Sequence, residues 1–300
     1  MRELSFDIVV LGQITKDKLV MRGIETEAPG GAVYYCGLAL SKLEIKAGVI
    51  TLINKDDDHY LDAFRNNGVD VFSFETARTT EFTNTYPSKD LDKRISEATA
   101  FAGPFATSHI PAIETKILHI GSLMAGEVPD DLVHYIVERF PKVSLDLQGF
   151  LRVPEEKNLV FKDWPAKKDA LRNIHTVKAD RVEAEVITGE KDMAKAAKII
   201  VSWGPREVVI TYADGVLVYA DEEIFEVPFV IESLKGRTGR GDTCISAYLA
   251  SRLKWSPGDS AKFAAAMTSL KLEKEGPFDR SYQDVIHKLA SDYHYQGPTA

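Results

Sequence analysis

Residues 233–244 read SLKGRTGRGDTC, a glycine-rich stretch between an apolar segment and a helical pattern. Proteins often hold phosphate at such a place, because the N–H groups at a helix start attract anions. The phosphate-binding loop G-x-x-x-x-G-K-[ST] has a lysine after its second glycine. Here Gly236 and Gly241 keep that spacing, but Asp242 stands at the lysine position. The stretch therefore raises the question of what a carboxylate does beside a bound phosphate.

The residues on either side predict that this loop begins a helix. Residues 225–231 are apolar enough to form a strand that enters the loop, and Ile245 and Leu249 follow it at helical spacing. Gly239 and Gly241 carry no Cβ, so the backbone can approach a ligand closely there. We therefore expect a strand, an anion-binding loop and a helix in that order.

Asp242 has two interpretations at this point. Aspartate is a favoured helix cap, which is a structural role. A carboxylate can also accept a proton from a hydroxyl that attacks a phosphoryl group, and a positioned general base contributes roughly 10²–10⁴-fold in rate. The motif by itself leaves both interpretations open.

The composition excludes several other classes of protein. The chain has 300 residues, of which 44% are hydrophobic and 27% charged, and its formal net charge is −8. It lacks the basic face expected of a nucleic-acid binder and the roughly 18 apolar residues in a row of a membrane span. Cys36 and Cys244 form no metal-binding spacing and no disulfide framework. We therefore expect a cytoplasmic protein that binds neither nucleic acid nor membrane.

Short apolar segments alternate with helical patterns, which is typical of an α/β fold with a mainly parallel sheet. The predicted strands are residues 8–11, 47–53, 116–120, 142–147, 176–177 and 208–210. The predicted helices are residues 32–43, 130–140, 183–188 and 192–203.

A threonine-rich region interrupts this alternation. Residues 80–86 and 93–101 flank a polar connection at 87–92 and are predicted to form a β-hairpin. Residues 13–28 are also polar and strand-like. We interpret the two segments as a small β-rich flap inserted into the α/β core, and the alternative is a hairpin at the edge of the sheet.

Six pieces of the sequence, taken together, resemble the ribokinase-like (PfkB-type) carbohydrate kinases. T-G-R-G-D at 238–242 resembles the family's T-G-A-G-D signature. The other pieces follow in the family's order over nearly the whole chain. They are residues 10–12 with Asp17, Gly30-Gly31, Asp180-x-x-Glu183, residues 208–211 with Asp214-Gly215, and the alanines 264–266.

The resemblance implies a ribokinase-like fold, with a central mainly parallel sheet of roughly nine strands flanked by helices and a small β lid. It assigns residues 13–28 and 72–102 to the lid over the substrate. It assigns residues 1–12, 29–71 and 103–300 to the core with the nucleotide site. It also implies transfer of the ATP γ-phosphate to a hydroxyl with the help of Mg²⁺.

The resemblance also implies roles for single residues. Asp242 is the general base, and Gly239, Arg240 and Gly241 complete the catalytic anion hole. Asp180 and Glu183 act on Mg²⁺ through water, since Mg²⁺ keeps most of its own waters. The residues that bind the nucleotide are Thr211, Asp214, Gly215, Thr238 and Ala265.

The loop departs from the family's pattern at several positions. Gly236 and Arg237 replace an Asp-Thr pair, and Ala213 stands where a glycine is usual. Arg240 replaces a small residue between the glycines. Its guanidinium can clamp a phosphate through two hydrogen bonds, or it can point into solvent, and both alternatives stay open.

The substrate is expected to be a small sugar, polyol or cyclitol. Asp17 can accept hydrogen bonds from two neighbouring hydroxyls. Tyr35 replaces an asparagine found in ribokinase-like members, and it either contacts substrate or packs the helix against the lid. The other candidates are Gly30 and Gly31, Asn84 from the lid, and Ser122, Asp146 and Arg152, which follow predicted strands.

Two stretches favour one branch of the family. D-x-Q-G-x-x-R at 146–152 and GGAVYYCGLAL at 30–40 look more like the inositol-kinase-type branch than like ribokinase, which favours myo-inositol. A nucleoside kinase of the same fold is an alternative, supported by Phe72, Phe74 and Phe82. A catalytically silent regulatory protein is a second alternative. A homodimer that pairs through the lid is also expected.

Overall fold

The computed structural model describes residues 4–21, 24–86, 95–156, 158–295 and 297. The first strands are β1 (Leu4–Leu11), β2 (Thr15–Met21), β3 (Ile24–Gly30), β4 (Ala47–Ile53), β5 (Asp70–Glu75), β6 (Thr80–Tyr86), β7 (Ile95–Ala100) and β8 (Ile113–Ile120). The later ones are β9 (Val143–Asp146), β10 (Arg152–Glu155), β11 (Asn158–Phe161), β12 (Thr176–Asp180), β13 (Glu207–Tyr212), β14 (Gly215–Ala220) and β15 (Glu223–Pro228).

The described part of the chain also contains ten α-helices, the last three of which follow β15. They are α1 (Ala32–Leu40), α2 (Asp62–Arg65), α3 (Asp130–Arg139), α4 (Gln148–Leu151), α5 (Lys167–Ala170), α6 (Arg181–Thr188), α7 (Met193–Val201), α8 (Arg240–Ser251), α9 (Pro257–Leu272) and α10 (Tyr282–Asp292).

The larger sheet has nine strands in the order β15-β14-β13-β12-β9-β8-β1-β4-β5. The seven strands from β13 to β5 pair in parallel, and β14 and β15 extend the sheet in antiparallel fashion. Its central strands are covered on both faces, so they are rich in apolar residues; every residue of β4 is buried. The predicted α/β class and the nine-stranded core are confirmed.

Two hydrophobic cores lie on opposite faces of this sheet. One core contains apolar residues of α1, α8, α9 and α10. The other contains apolar residues of α3, α6 and α7. The helices that connect parallel strands therefore cover both faces, as buried parallel sheets require.

The smaller sheet has six strands in the order β10-β11-β7-β6-β2-β3. β6 and β7 pair in antiparallel register, with Asn84 opposite Ser96, so the predicted hairpin is confirmed. Its predicted connection, residues 87–92, lies outside the described residues. We refer to these six strands as the lid sheet.

The lid sheet differs in extent from the predicted lid, residues 13–28 and 72–102. β5 pairs in parallel with β4 and belongs to the larger sheet, where the Phe72 ring packs edge-on against Phe6 at 5.7 Å. β10 and β11, predicted within the core, join the lid sheet where Asn158 pairs with Glu97. These pairings are non-local, so the pattern of a single segment does not reveal them.

The predicted strand at 225–231 also ends earlier than expected. β15 stops at Pro228, because its backbone pairs with β14 only over residues 223–228. None of the helices within the described ranges is long and apolar enough to cross a membrane. The two outer strands of the lid sheet are β3 and β10, and a dimer through them stays a prediction.

Candidate active site

An open cavity of about 190 Å³ lies between the lid sheet and the carboxyl edge of the larger sheet. Open α/β sheets bind ligands at this edge, beyond the ends of the parallel strands. Twelve of the predicted site residues line it: Asp17, Gly31, Tyr35, Asn84, Arg152, Asp180, Thr211, Thr238, Gly239, Arg240, Gly241 and Asp242. Residues separated by more than 200 positions therefore meet at one site.

Eight further lining residues were not among the predicted site residues: Thr15, Ala32, Phe82, Ser96, Leu123, Gln148, Lys178 and Arg237. One of them had a usable signal in the sequence: Gln148 belongs to the quoted D-x-Q-G-x-x-R stretch. Ser96 could be assigned to the site only from the structure, in which it pairs across the strands with Asn84.

Seven predicted site residues do not line the cavity: Gly30, Ser122, Asp146, Glu183, Asp214, Gly215 and Ala265. Ser122 and Ala265 are fully buried. Asp214 is exposed in the turn between β13 and β14. Gly30 acts indirectly: a Cβ on it would lie 2.4 Å from Asp17 Oδ2, so its lack of a side chain makes room for that carboxylate.

The glycine-rich loop ends at the start of α8, as predicted. The helix N-cap is Gly239, in the left-handed region at φ 81°, and a Cβ there would lie 2.2 Å from the Tyr35 ring. The Tyr35 side chain thus supports the loop as well as lining the cavity. Asp242 is the third residue of the helix and not its N-cap, which leaves its carboxylate available for chemistry.

Lys178 brings an ammonium group to the loop from a neighbouring strand. It projects from β12 so that a Cβ on Gly241 would lie 3.0 Å from its Nζ. Its ammonium forms a 2.9 Å ion pair with Asp146 and lies 3.8 Å from Glu183, and all three side chains are at least nine-tenths buried. Burial disfavours the charged lysine, but the carboxylates outweigh it and raise its pKa. The phosphate-binding loop motif has a lysine where this chain has Asp242. Here the lysine beside the loop is Lys178, which comes from β12.

Asp242 is only partly exposed, and its surroundings suit it to accept a proton near neutral pH. Burial raises the pKa of its carboxyl from the usual 3.8 to about 7, and Lys178 opposes that increase. A base is most effective when its pKa lies near the working pH. Asp242 therefore has both the position and the proton affinity of a general base.

Asp180 and Glu183 form a reciprocal capping box at the start of α6. The Asp180 N–H donates to Glu183 Oε2 at 2.7 Å, and the Glu183 N–H donates to Asp180 Oδ1 at 2.8 Å. Glu183 is 1% exposed and does not line the cavity, whereas Asp180 does. This arrangement fits a hydrated Mg²⁺ held through Asp180, since Mg²⁺ needs few protein ligands. It does not fit direct coordination by Glu183.

The lid side of the cavity is polar. Thr15 Oγ1 donates to Asp17 Oδ1 at 2.7 Å, and Ser96 Oγ donates to Asn84 Oδ1 at 2.7 Å. These hydroxyl, amide and carboxylate groups can recognise a ligand with several hydroxyls. Around the glycine-rich loop the lining is charged: Lys178, Arg237 and Arg240 lie there with Asp180 and Asp242.

Polar groups from the lid sheet, cationic side chains beside a glycine-rich loop and a carboxylate at a helix start are the groups that a small-molecule kinase requires. The chain belongs to the pfkB family of carbohydrate kinases, whose family profile matches residues 25–282. The enzyme class, a phosphotransferase with a hydroxyl acceptor, and the ribokinase-like fold follow from this membership.

Three proteins that are similar to this chain are themselves kinases. The chain is 26% identical over 263 residues to a cytidine kinase of Thermococcus kodakarensis, covering 84% of this chain and 90% of that protein. It is 37% identical to a pyrophosphate-dependent kinase of the ribokinase family, solved with a pyrophosphate analogue and myo-inositol (TM-score 0.86, covering 93% of this chain and 99% of the other).

A third relative is 35% identical and has a TM-score of 0.85, with 96% of this chain and 100% of the other covered. It is a pyrophosphate-dependent myo-inositol-1 kinase that was converted into a myo-inositol-3 kinase by two substitutions to leucine, one of an asparagine and one of a serine.

Proposed function

We propose that the protein phosphorylates a hydroxyl of a cyclitol, with myo-inositol as the leading acceptor and Asp242 as the general base. The observation that carries this proposal is the position of Asp242 in a cavity that is lined by polar residues of the lid sheet and by the cations Lys178, Arg237 and Arg240 near the glycine-rich loop. The myo-inositol-dependent neighbours support the choice of acceptor.

Pyrophosphate is the leading donor. Arg237, Arg240 and Lys178 can neutralise a compact, highly charged anion, and guanidinium groups bind phosphate through paired hydrogen bonds. Three predicted nucleotide residues, Asp214, Gly215 and Ala265, do not line the cavity. ATP, the donor implied by the sequence resemblance, remains the second candidate because Thr211 and Thr238 do line it.

In the proposed reaction the acceptor hydroxyl gives its proton to the Asp242 carboxylate while its oxygen forms a bond to phosphorus. The bond between phosphorus and the leaving oxygen breaks, and the leaving phosphate keeps the electron pair. Lys178 and the N–H groups at the start of α8 stabilise the charge on the transferred group. A bound Mg²⁺ would supply further charge neutralisation near Asp180.

A panel of donors and acceptors tests this function. Phosphate release from pyrophosphate and ADP release from ATP are each measured with Mg²⁺ and myo-inositol, ribose, fructose, cytidine or adenosine, and without acceptor. We expect turnover with pyrophosphate and myo-inositol. Turnover with ATP alone as donor would reject the donor assignment. A bound donor without turnover on any acceptor would favour the silent regulatory alternative.

The cytidine kinase relative keeps a nucleoside acceptor as the second candidate. Of the three phenylalanines that favoured it, Phe82 lines the cavity, whereas Phe72 and Phe74 belong to β5 of the larger sheet. Without Phe72 and Phe74 the cavity offers less stacking surface for a base. Cytidine turnover that exceeds myo-inositol turnover would select this alternative.

Arg237 and Arg240 should contribute to the binding of pyrophosphate as the donor. Arg237→Gln and Arg240→Gln each remove a guanidinium from the cavity, so we expect each to raise the KM for pyrophosphate by about tenfold or more, a loss of about 1.4 kcal/mol. The KM for the acceptor should change little. Steady-state kinetics with each substrate varied in turn checks this, with Arg65→Gln, an exposed arginine of α2, as the matched control.

The hydrogen-bonded pair Asn84–Ser96 should set which hydroxyl reacts. Both residues line the cavity, and they are an asparagine and a serine facing each other across β6 and β7. We expect Asn84→Leu with Ser96→Leu to redirect phosphorylation to another inositol hydroxyl, because apolar side chains cannot accept the same hydroxyl contacts. NMR of the product identifies the position. An unchanged product would show that these residues do not orient the acceptor.

A further inference from the structure

The Gln13 side chain connects three chain segments at the base of the lid sheet, where its strands leave the larger sheet. Gln13 follows β1, precedes β2 and is fully buried. Its Nε2 donates to the Gly103 carbonyl at 2.6 Å, and its Oε1 accepts a hydrogen bond from the Thr80 hydroxyl. Thr80 Oγ1 in turn accepts the N–H of Ala102 at 2.9 Å. One amide therefore joins the segments that link β2, β6 and β7 to the larger sheet.

Glu127 fixes the backbone of Gln13. Its carboxylate accepts the N–H of Gln13 at 2.8 Å and the N–H of Leu123 at 2.7 Å. Glu127 is 1% exposed, and in the described part of the chain no lysine or arginine forms an ion pair with it. Burial raises the pKa of this carboxyl to about 7, and the backbone N–H groups oppose that increase. Displacing Gln13 would leave a buried acceptor without its partner, which is costly.

A buried polar network can serve only to stabilise a fold. This one also lies at the start of the two strands that bring substrate-site residues to the cavity. Thr15 of β2 pairs with Thr80 of β6, and Asp17 and Asn84 follow on the same strands and line the cavity. At about 3.3 Å per residue, Asn84 lies about 13 Å from Thr80, so a small tilt at the base displaces its amide.

We propose that Gln13 and Glu127 are positioning residues that fix the base of the lid sheet. They thereby hold Asp17 and Asn84 at the distance from Asp242 that the acceptor requires. Gln13 and Glu127 do not line the cavity, so they act through the backbone of the lid strands. The proposal rests on the proposed function to the extent that the lid sheet binds the acceptor. Loss of either side chain should impair use of the acceptor and leave donor binding intact, because the donor binds at the glycine-rich loop.

Two variants with side chains of similar size test this role. Gln13→Leu removes both side-chain hydrogen bonds, and Glu127→Gln replaces one carboxylate oxygen by an NH₂ group that cannot accept an N–H. Kinetics are measured at pH 8 with myo-inositol and pyrophosphate varied in turn. Each variant should raise the KM for myo-inositol and lose about 10²-fold in its kcat/KM, since a displacement of about 1 Å is that costly. The KM for pyrophosphate should not change.

The matched control is Gln283→Leu, because Gln283 is exposed on α10. This variant should behave like the native protein in both KM values. An equal rise in the two KM values of Gln13→Leu or Glu127→Gln would contradict the proposal, because a general loss of structure affects both substrates. Native kcat/KM for myo-inositol in both variants would contradict it as well.

A double-variant cycle tests whether Gln13 and Thr80 act as one unit. Thr80→Val keeps the shape of the side chain and removes its hydroxyl. Gln13→Leu with Thr80→Val should lose no more kcat/KM for myo-inositol than Gln13→Leu alone, because losses within one hydrogen-bonded network are not additive. Losses that multiply would show that the two residues act separately and would overturn the role of the Gln13 amide.

Hydrogen exchange separates this proposal from the proposed function, because it needs no substrate. In Gln13→Leu and Glu127→Gln the amides of β2 and β6 should exchange about tenfold faster or more than in the native protein, and those of β4 and β9 should not change. This result supports the attachment of the lid sheet even if the protein turns over no substrate in the panel. Unchanged exchange in β2 and β6 would overturn the proposal.

Discussion

Asp242→Asn lowers turnover by at least about 10²-fold while donor affinity stays within a few-fold, because the amide cannot take the acceptor proton. The expectation rests on the position of Asp242 as the third residue of α8, lining the cavity beside Lys178. Single-turnover rates and direct measurement of donor binding check the two parts separately. Near-native turnover of the variant would reduce Asp242 to a stabilising residue at the helix start.

The raised pKa of the Asp242 carboxyl predicts how the rate and the stability of the protein depend on pH. Because its pKa is raised to about 7, kcat/KM should fall as the pH drops below 7 and the base becomes protonated. A carboxyl whose pKa is higher in the folded than in the unfolded state stabilises the fold most at low pH. It loses that contribution as the pH rises through about 7.

Asp242→Asn should therefore melt at a higher temperature than the native protein at pH 8, and the difference should vanish near pH 4. Thermal melts across this range check the sign. A variant that is less stable at pH 8 would mean that the Asp242 carboxylate is stabilised by its surroundings, contrary to the effect of its burial.

Lys178→Met should lower turnover by about 10²–10³-fold, comparable to the loss of one strong donor to a developing charge. The Nζ atom lies next to Gly241, and Lys178 lines the cavity, so in the proposed reaction its charge stabilises the transferred phosphoryl group. Its removal should also shift the acid limb of the rate profile to higher pH, because Lys178 opposes the increase in the Asp242 pKa.

Lys178→Met also leaves Asp146 buried without its partner, which costs about 3–5 kcal/mol of stability in comparable pairs. The double variant Lys178→Met with Asp146→Asn removes both charges and should recover much of the melting temperature. Its turnover should stay as low as that of Lys178→Met. Recovered turnover in the double variant would show that Lys178 matters only through the stability of the pair.

The local parts of the fold and site could be predicted from the sequence. The apolar segment at 47–53 matches β4 residue for residue, because a strand buried on both faces is a nearly continuous apolar run. The loop before α8 could also be predicted, because its closely spaced glycines and the helical spacing of Ile245 and Leu249 are features of one short segment. The ordered motifs also indicated the family, the fold class and twelve residues that line the cavity.

The tertiary structure decided what depends on contacts between distant segments. The pairing of Asn158 with Glu97 brings β10 and β11 into the lid sheet, and no property of residues 152–161 alone predicts it. Lys178 reaches the glycine-rich loop from β12, and in the sequence it is an ordinary lysine. The sequence alone determined that a phosphate loop with a carboxylate exists, because that pattern is local. Only folding brought Lys178 to the loop, because a long side chain can bring its charge to a site formed by another part of the chain.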